Sequence, residues 1–214
     1  MNEYTHVEGK DNTADSLVSH VEGKENNTNG GEGLHVEGQG NNATGIYNHT
    51  EGQANATSGT NAHTQGKGNT NHGNQSFVGG MNNKLISGGY TFVHGTDNVV
   101  TGARQFVFGK GNKVSNDASH GDCIVGGWSN EVNGGVLQTV IGNGNTVSSG
   151  NTQSVFGKNI KVTSGYVNSA FGLNHTITGF YSHTTGENNT NTNEASSVHG
   201  IGNKSGRTAQ TVVG

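Results

Sequence analysis

The tetrapeptide HVEG occupies positions 6–9, 20–23 and 35–38 of the 214-residue chain, so it returns after 14 or 15 residues. Farther along the chain its first three residues change, whereas the closing Gly keeps the same phase. This anchor glycine stands at fifteen positions: Gly9, Gly23, Gly38, Gly52, Gly66, Gly80, Gly95, Gly109, Gly127, Gly142, Gly157, Gly172, Gly186, Gly200 and Gly214. A short fixed period of this kind is typical of repeat proteins, in which successive repeats stack on one another.

Two more positions keep the phase of the anchor glycines. Three residues after the Gly, Asn stands in twelve of fourteen repeats, and the exceptions are Ile160 and His175. Five residues after the Gly, the middle repeats carry an apolar residue: Leu85, Val100, Val114, Val132, Val147, Val162 and Ile177. Because β-branched residues alternate with turn formers, each repeat predicts two short strands and two turns.

The composition favours a solenoid over the other polar architectures. Hydrophobic residues make up only 28% of the chain, which disfavours an ordinary globular core. The absence of Pro and the 12% of charged residues are atypical of disordered chains. A collagen-type chain would need Gly at every third position, and helical repeats would need helix formers. The sequence therefore predicts an all-β, parallel β-solenoid of about fifteen coils of 14–15 residues.

We expect one domain over residues 1–214 with three regions of different composition. Residues 1–70 are rich in His and Glu, residues 71–180 carry the apolar coils, and residues 181–214 are polar again. One interval of 18 residues between anchor glycines indicates an insertion near residues 116–123.

The aromatic residues have no place in so thin a coil. If the Val two residues before each anchor Gly and the apolar column from Leu85 to Ile177 fill the interior, the phenylalanines must point outward. On a monomer, such an aromatic stripe would be exposed to solvent and would favour aggregation. Packing three stripes around a threefold axis would bury them. We therefore predict a homotrimer with these interface residues: Phe77, Phe92, Phe106, Phe108, Phe156 and Phe171.

The repeats resemble a known family. The segments QSVFG at 153–157 and NSAFG at 168–172 resemble the head repeats of trimeric autotransporter adhesins, and SHVEG at 19–23 resembles related repeats of phage tail fibres. The resemblance covers essentially the whole chain, although each motif is short. It implies a left-handed parallel β-roll, homotrimeric and without enzymatic activity.

The resemblance also implies a function as a structural and adhesive fibre segment that binds a cell-surface receptor or glycan. Full-length autotransporter adhesins have a signal peptide, a heptad stalk and a membrane anchor, which this sequence lacks. We therefore expect a phage-type tail fibre, or a fragment of an extracellular or cell-surface adhesin. Two alternatives are a rod that polymerises by end-to-end stacking and a β-helix enzyme that acts on carbohydrate or on itself. Sparse Asp and Glu after residue 51 disfavour the enzyme.

A column of histidines in the first five repeats is the candidate metal site: His6, His20, His35, His49 and His63. A Glu follows two residues after the first four, on the same strand face. Together they could supply nitrogen and oxygen ligands. Metal sites are closed and local, however, and these positions change to Phe, Ser or Thr in later repeats. We therefore favour a hydrogen-bonded His/Glu ladder and expect no cofactor.

The insertion carries the residues that suggest a local recognition feature, namely Ser119, His120 and Asp122. With Cys123, His120 and Asp122 also suggest a nucleophile, but a loop on a rigid scaffold is the simpler interpretation. The net charge is −4, and the 11 Lys and Arg residues form no cluster, so we expect neither a nucleic-acid partner nor membrane insertion.

Overall fold

The computed structural model describes residues 4–116 and 121–214, and every regular element in those two segments is a β-strand. The prediction of an all-β parallel solenoid of about fifteen turns is confirmed. Two compact units make up the chain, Met1–Arg104 and Gln105–Gly214. The single domain over residues 1–214 and its three regions stay predictions.

In the first unit each coil contributes one strand to each of two parallel sheets, called sheet A and sheet B. Sheet A contains β1 (His6–Lys10), β3 (His20–Lys24), β5 (His35–Gln39), β7 (His49–Gln53), β9 (His63–Lys67), β11 (Phe77–Met81) and β13 (Phe92–Thr96). Sheet B contains β2 (Thr13–Leu17), β4 (Asn27–Glu32), β6 (Asn42–Ala43), β8 (Ala56–Thr57), β10 (Thr70–Asn71), β12 (Lys84–Ser87) and β14 (Val99–Thr101).

The second unit has the same alternation of strands. Its sheet A contains β15 (Gln105–Lys110), β17 (Cys123–Trp128), β19 (Val136–Asn143), β21 (Asn151–Lys158), β23 (Tyr166–Leu173), β25 (His183–Glu187), β27 (Ser197–Ile201) and β28 (Thr211–Val213). Its sheet B contains β16 (Lys113–Ser115), β18 (Glu131–Asn133), β20 (Thr146–Ser148), β22 (Lys161–Val162), β24 (Thr176–Ile177) and β26 (Thr190–Asn191).

Equivalent positions of successive repeats pair directly within each unit. His6 pairs with His20 in the first unit, and Phe156 pairs with Phe171 in the second. One repeat is therefore one coil, and a residue type that recurs in the sequence becomes a column along the sheet.

Two inward columns form the core, as the sequence predicts. In the apolar coils both columns are buried: Val78, Val93, Val107, Val125, Val140 and Val155 in one, and Leu85, Val100, Val114, Val132, Val147, Val162 and Ile177 in the other. In the coils around residues 50–64, threonines take the places of these apolar residues. Thr50 donates a hydrogen bond of 2.7 Å to Thr57, which donates one of 2.7 Å to Thr64. Hydroxyls can be buried here because each finds a partner.

The asparagine column is a hydrogen-bonded ladder, and most of its partners are backbone groups. Asn41 Nδ2 donates to Glu37 O at 2.6 Å and to Gly52 O at 2.9 Å, and its Oδ1 accepts from the backbone N–H of Asn55 at 2.9 Å. His175 takes the same role, because its Nε2 lies 3.0 Å from Phe171 O and its Nδ1 accepts from Asn189 N at 3.2 Å. The Asn amide, or the imidazole of His175, thus closes one corner of the coils that carry these residues.

A second column of buried polar side chains closes the opposite corner. Asn48 Nδ2 donates to Thr44 O and Gly59 O, both at 2.6 Å. Gln138 Nε2 makes the equivalent bond to Gly150 O at 3.0 Å. Because the residue type changes between Asn, Gln, Ser and apolar residues, the sequence pattern does not reveal this column.

Candidate functional site

The outward side of sheet A in the second unit exposes several large apolar side chains, and we call it the aromatic face. It carries four of the predicted interface residues, namely Phe106, Phe108, Phe156 and Phe171, all of them exposed. Phe156 and Phe171 stack with centroids 5.3 Å apart and planes 3° from parallel. Phe108 lies over Gly126, where any side chain would collide with its ring.

The corresponding side of the first unit is less apolar. Phe77 and Phe92 stack with centroids 4.9 Å apart, and both are half-buried. The His63 ring meets Phe77 edge-on at 5.3 Å and so continues the same column. All six predicted phenylalanines therefore point outward, and the interface that they would form stays a prediction.

The aromatic face also includes three large side chains that are not among the predicted phenylalanines. Ile124, Trp128 and Ile201 are exposed on the same side of the strands, and Trp128 is 56% exposed. Lys110 lies over the Trp128 ring, with Nζ 5.6 Å from its centroid. Ile124 takes the repeat position of Phe106, so the sequence already indicates its outward direction. Trp128 and Ile201 follow an anchor glycine directly, a position that none of the predicted phenylalanines occupies.

A second apolar surface runs along the corner at or just before the start of the sheet A strands, and we call it the corner stripe. In the first unit it consists of Leu17, Val18, Ile46, Tyr47 and Tyr90, and in the second of Leu137, Tyr166, Val167, Phe180 and Tyr181. All ten are exposed. The sequence does not reveal this stripe, because the corner residue adopts positive φ and points outward, which no alternation pattern indicates.

The histidine rings form a continuous column in the first unit, tilted in its first two steps and stacked in the next two. Ring centroids are 5.0 Å apart from His6 to His20 and from His20 to His35, and 4.5 and 4.6 Å apart in the next two steps. The predicted hydrogen bond to Glu forms at one pair, between His35 Nε2 and Glu37 Oε1 at 2.7 Å. In the other three pairs nitrogen and carboxylate lie 3.5–3.6 Å apart, beyond that bond.

Among the residues described, 4–116 and 121–214, no group of three or more His, Cys, Asp or Glu side chains is arranged to hold a metal ion. Each of the first four coils brings one His beside one Glu.

His63 differs from the histidines before it because Gln65 replaces the Glu. Burial lowers the pKa of His63, the neighbouring His49 lowers it further, and Glu51 opposes the shift. Burial also lowers the pKa values of His175 and His183. His175 must stay neutral to accept at Nδ1 while donating at Nε2.

We expect acid to destabilise the fold through these lowered histidines. These histidines have a lower pKa in the folded chain than in the unfolded chain, so the unfolded chain takes up protons at a higher pH. The free energy of unfolding therefore falls as the pH drops below 6.5, the ordinary pKa of a histidine. His63→Phe should reduce this loss of stability, because it removes one of the titrating side chains. Phe fits at this position because Phe77 and Phe92 already fill the same column. Urea denaturation at about pH 7.5 and about pH 5.5 measures the change in the free energy of unfolding between the two pH values.

The control is His6→Phe, in the same column but with a side chain that is 63% exposed. It should alter the pH dependence less than His63→Phe does. An unchanged pH dependence in His63→Phe would show that His63 is not among the histidines responsible.

The predicted recognition loop lies partly outside the described residues, which exclude Ser119 and His120. Asp122 precedes strand β17, which begins at Cys123. Cys123 is a core residue and no part of the insertion, because it pairs with Gln105 and Gln138 in neighbouring strands. Burial raises the pKa of its thiol to about 11, so a thiolate nucleophile is disfavoured at neutral pH.

Within the described parts of the chain, no helix is long and apolar enough to cross a membrane. No protein-family model matches the sequence, and no curated protein matches it either.

Proposed function

We propose that the chain is a non-catalytic structural and adhesive fibre segment that assembles as a homotrimer of left-handed β-rolls. The observation that carries the proposal is the aromatic face. Phe106, Phe108, Phe156 and Phe171 expose large apolar side chains on one side of sheet A, and exposed surfaces of this kind mark interaction sites.

A stack of short coils suits a spacer better than a catalyst. Its side chains are held in columns by parallel pairing, and repeating columns multiply weak contacts with a surface. A trimer would present each column three times. The proposed location is therefore a virion tail fibre or the outside of a cell, and the proposed partner is a cell-surface receptor or glycan.

The assembly is tested by replacing Phe106 and Phe108 together with Ser. Both side chains are partly exposed in the single chain, so removing them should cost the assembly about 3 kcal/mol per chain or more while leaving the coil interior untouched. Light scattering should give three chains for the unmodified protein and one chain for the double variant.

Ile86→Ser is the matched control, because Ile86 is also exposed but lies in strand β12 of sheet B. It should keep the mass of three chains. A folded monomer of the unmodified protein would contradict the proposal, and a large polydisperse mass would favour the self-polymerising rod.

A further inference from the structure

The asparagine ladder of the second unit is interrupted at two successive coils. Asn145 Oδ1 accepts from the backbone N–H of Ile160 at 3.0 Å, but the Ile160 side chain has no polar atom with which to hold the next coil. His175 takes the following ladder position, and Asn189 resumes the ladder. His175 is 1% exposed, and it is the one titratable residue at this position of the repeat.

The imidazole of His175 joins two coils through backbone groups. Its Nε2 lies 3.0 Å from Phe171 O, which can only accept, so Nε2 carries the hydrogen. Its Nδ1 lies 3.2 Å from the backbone nitrogen of Asn189, which can only donate, so Nδ1 carries none. The two contacts together require one tautomer of the neutral ring.

Protonation of His175 would break the contact between the coils. It would place a hydrogen on Nδ1, so that two donors face each other inside the coil and the N–H of Asn189 loses its acceptor. The strands around this corner carry five charged or titratable side chains: Lys158, Lys161, Tyr166, His183 and Glu187. All five are exposed or partly exposed, whereas His175 is buried, and burial lowers its pKa.

An asparagine in the same place makes equivalent bonds without a titrating group. Asn189 Nδ2 donates to Thr185 O at 2.8 Å and to Gly200 O at 2.7 Å. Its Oδ1 accepts from the backbone N–H of Asn203 at 2.7 Å. Because an amide does not change its charge between pH 5 and pH 8, the ladder responds to acid at His175 and not at its asparagines.

We propose that His175 is an acid-operated switch in the second unit. While neutral, it holds the coil of β23 and β24 to the coil of β25 and β26, and when protonated it lets these two coils open locally. The coils that asparagine amides hold on either side stay closed. The switch lies in the interior of one chain, so it does not depend on the proposed trimer.

Amide hydrogen exchange of the full chain, followed by mass spectrometry at about pH 7.5 and about pH 5.5, tests the switch. After correction for the intrinsic pH dependence of exchange, residues 166–191 should lose about tenfold in protection at the lower pH. Tenfold is about the most that one histidine with an ordinary pKa of about 6.5 in the open state contributes over this range. Residues 123–148, which contain no histidine, should lose much less. His175→Asn should abolish the difference.

His183→Ser is the matched control, because His183 pairs in register with Ser169 and Ser197 on the two neighbouring strands. It should keep most of the loss of protection. Four results would overturn the proposal: equal protection at both pH values, a loss spread evenly over residues 123–213, a loss that persists in His175→Asn, or one that disappears in His183→Ser. If His175→Asn fails to fold, hydrogen exchange at ring carbon 2 of His175 in the unmodified protein gives its pKa. A value of about 6.5 or higher would likewise overturn the proposal, and a lower one would support it.

Discussion

Replacing Gly52 with Ala is expected to unfold the first unit or to cost about 3 kcal/mol or more. Gly52 has a φ of +107°, and a Cβ atom there would collide with the backbone of Gly66 in the next coil. The neighbouring coil cannot retreat, because the two strands are paired through β7 and β9. Urea denaturation followed by circular dichroism measures the loss.

Gly40→Ala is the control for this prediction. Gly40 also has positive φ, at 66°, but a Cβ atom there would lie more than 4 Å from every residue beyond its two chain neighbours. Ala54 takes the equivalent position one coil later, at a φ of 55°. Gly40→Ala should therefore change the free energy of unfolding by no more than about 1 kcal/mol. If both variants lost the same free energy of unfolding, Gly52 would be required for its backbone conformation and not for the close approach of the coils.

Asn130→Ala is expected to cost about 3 to 5 kcal/mol, because it leaves several buried backbone groups without a partner. Asn130 is fully buried, and its Nδ2 donates to Gly126 O and to Gly142 O, both at 2.9 Å. Its Oδ1 accepts from the backbone N–H of Asn145 at 3.1 Å. Guanidinium denaturation of the full chain measures the change.

Asn133→Ala, three residues away, is the matched control. Asn133 is half-buried, and its Nδ2 donates to the Glu131 carboxylate at 3.0 Å. Its replacement should cost about 0.5 kcal/mol or less. A comparable cost at both sites would indicate that the asparagine ladder is a turn preference without a special contribution to stability.

The parallel fold and its core could be predicted because a solenoid converts sequence period into spatial register. When His6 pairs with His20, every other position of those two coils is aligned as well. Alternation along a strand then assigns Val78 to the interior and Phe77 to the outside. Both assignments follow from local rules repeated at one period.

The candidate surfaces could be predicted only in part. The phenylalanines of the aromatic face could be recognised because one residue type recurs at outward positions. The exposure of Trp128 and of the corner stripe depends on the backbone conformation at single positions, which the repeat pattern does not indicate. Cys123 was assigned to the insertion because its repeat has irregular length, and only strand pairing places it beside Gln105 and Gln138.

By itself, the sequence determined the period, the number of coils, the two core columns and the outward direction of the phenylalanines, because these depend on strand alternation and on repetition. Tertiary structure was needed to show which hydrogen bonds the Asn and His175 side chains make, that one of the four His–Glu pairs of the first unit is hydrogen-bonded, and that the corners expose apolar residues. These features depend on distances of a few tenths of an ångström and on φ at single residues, which residue type does not specify.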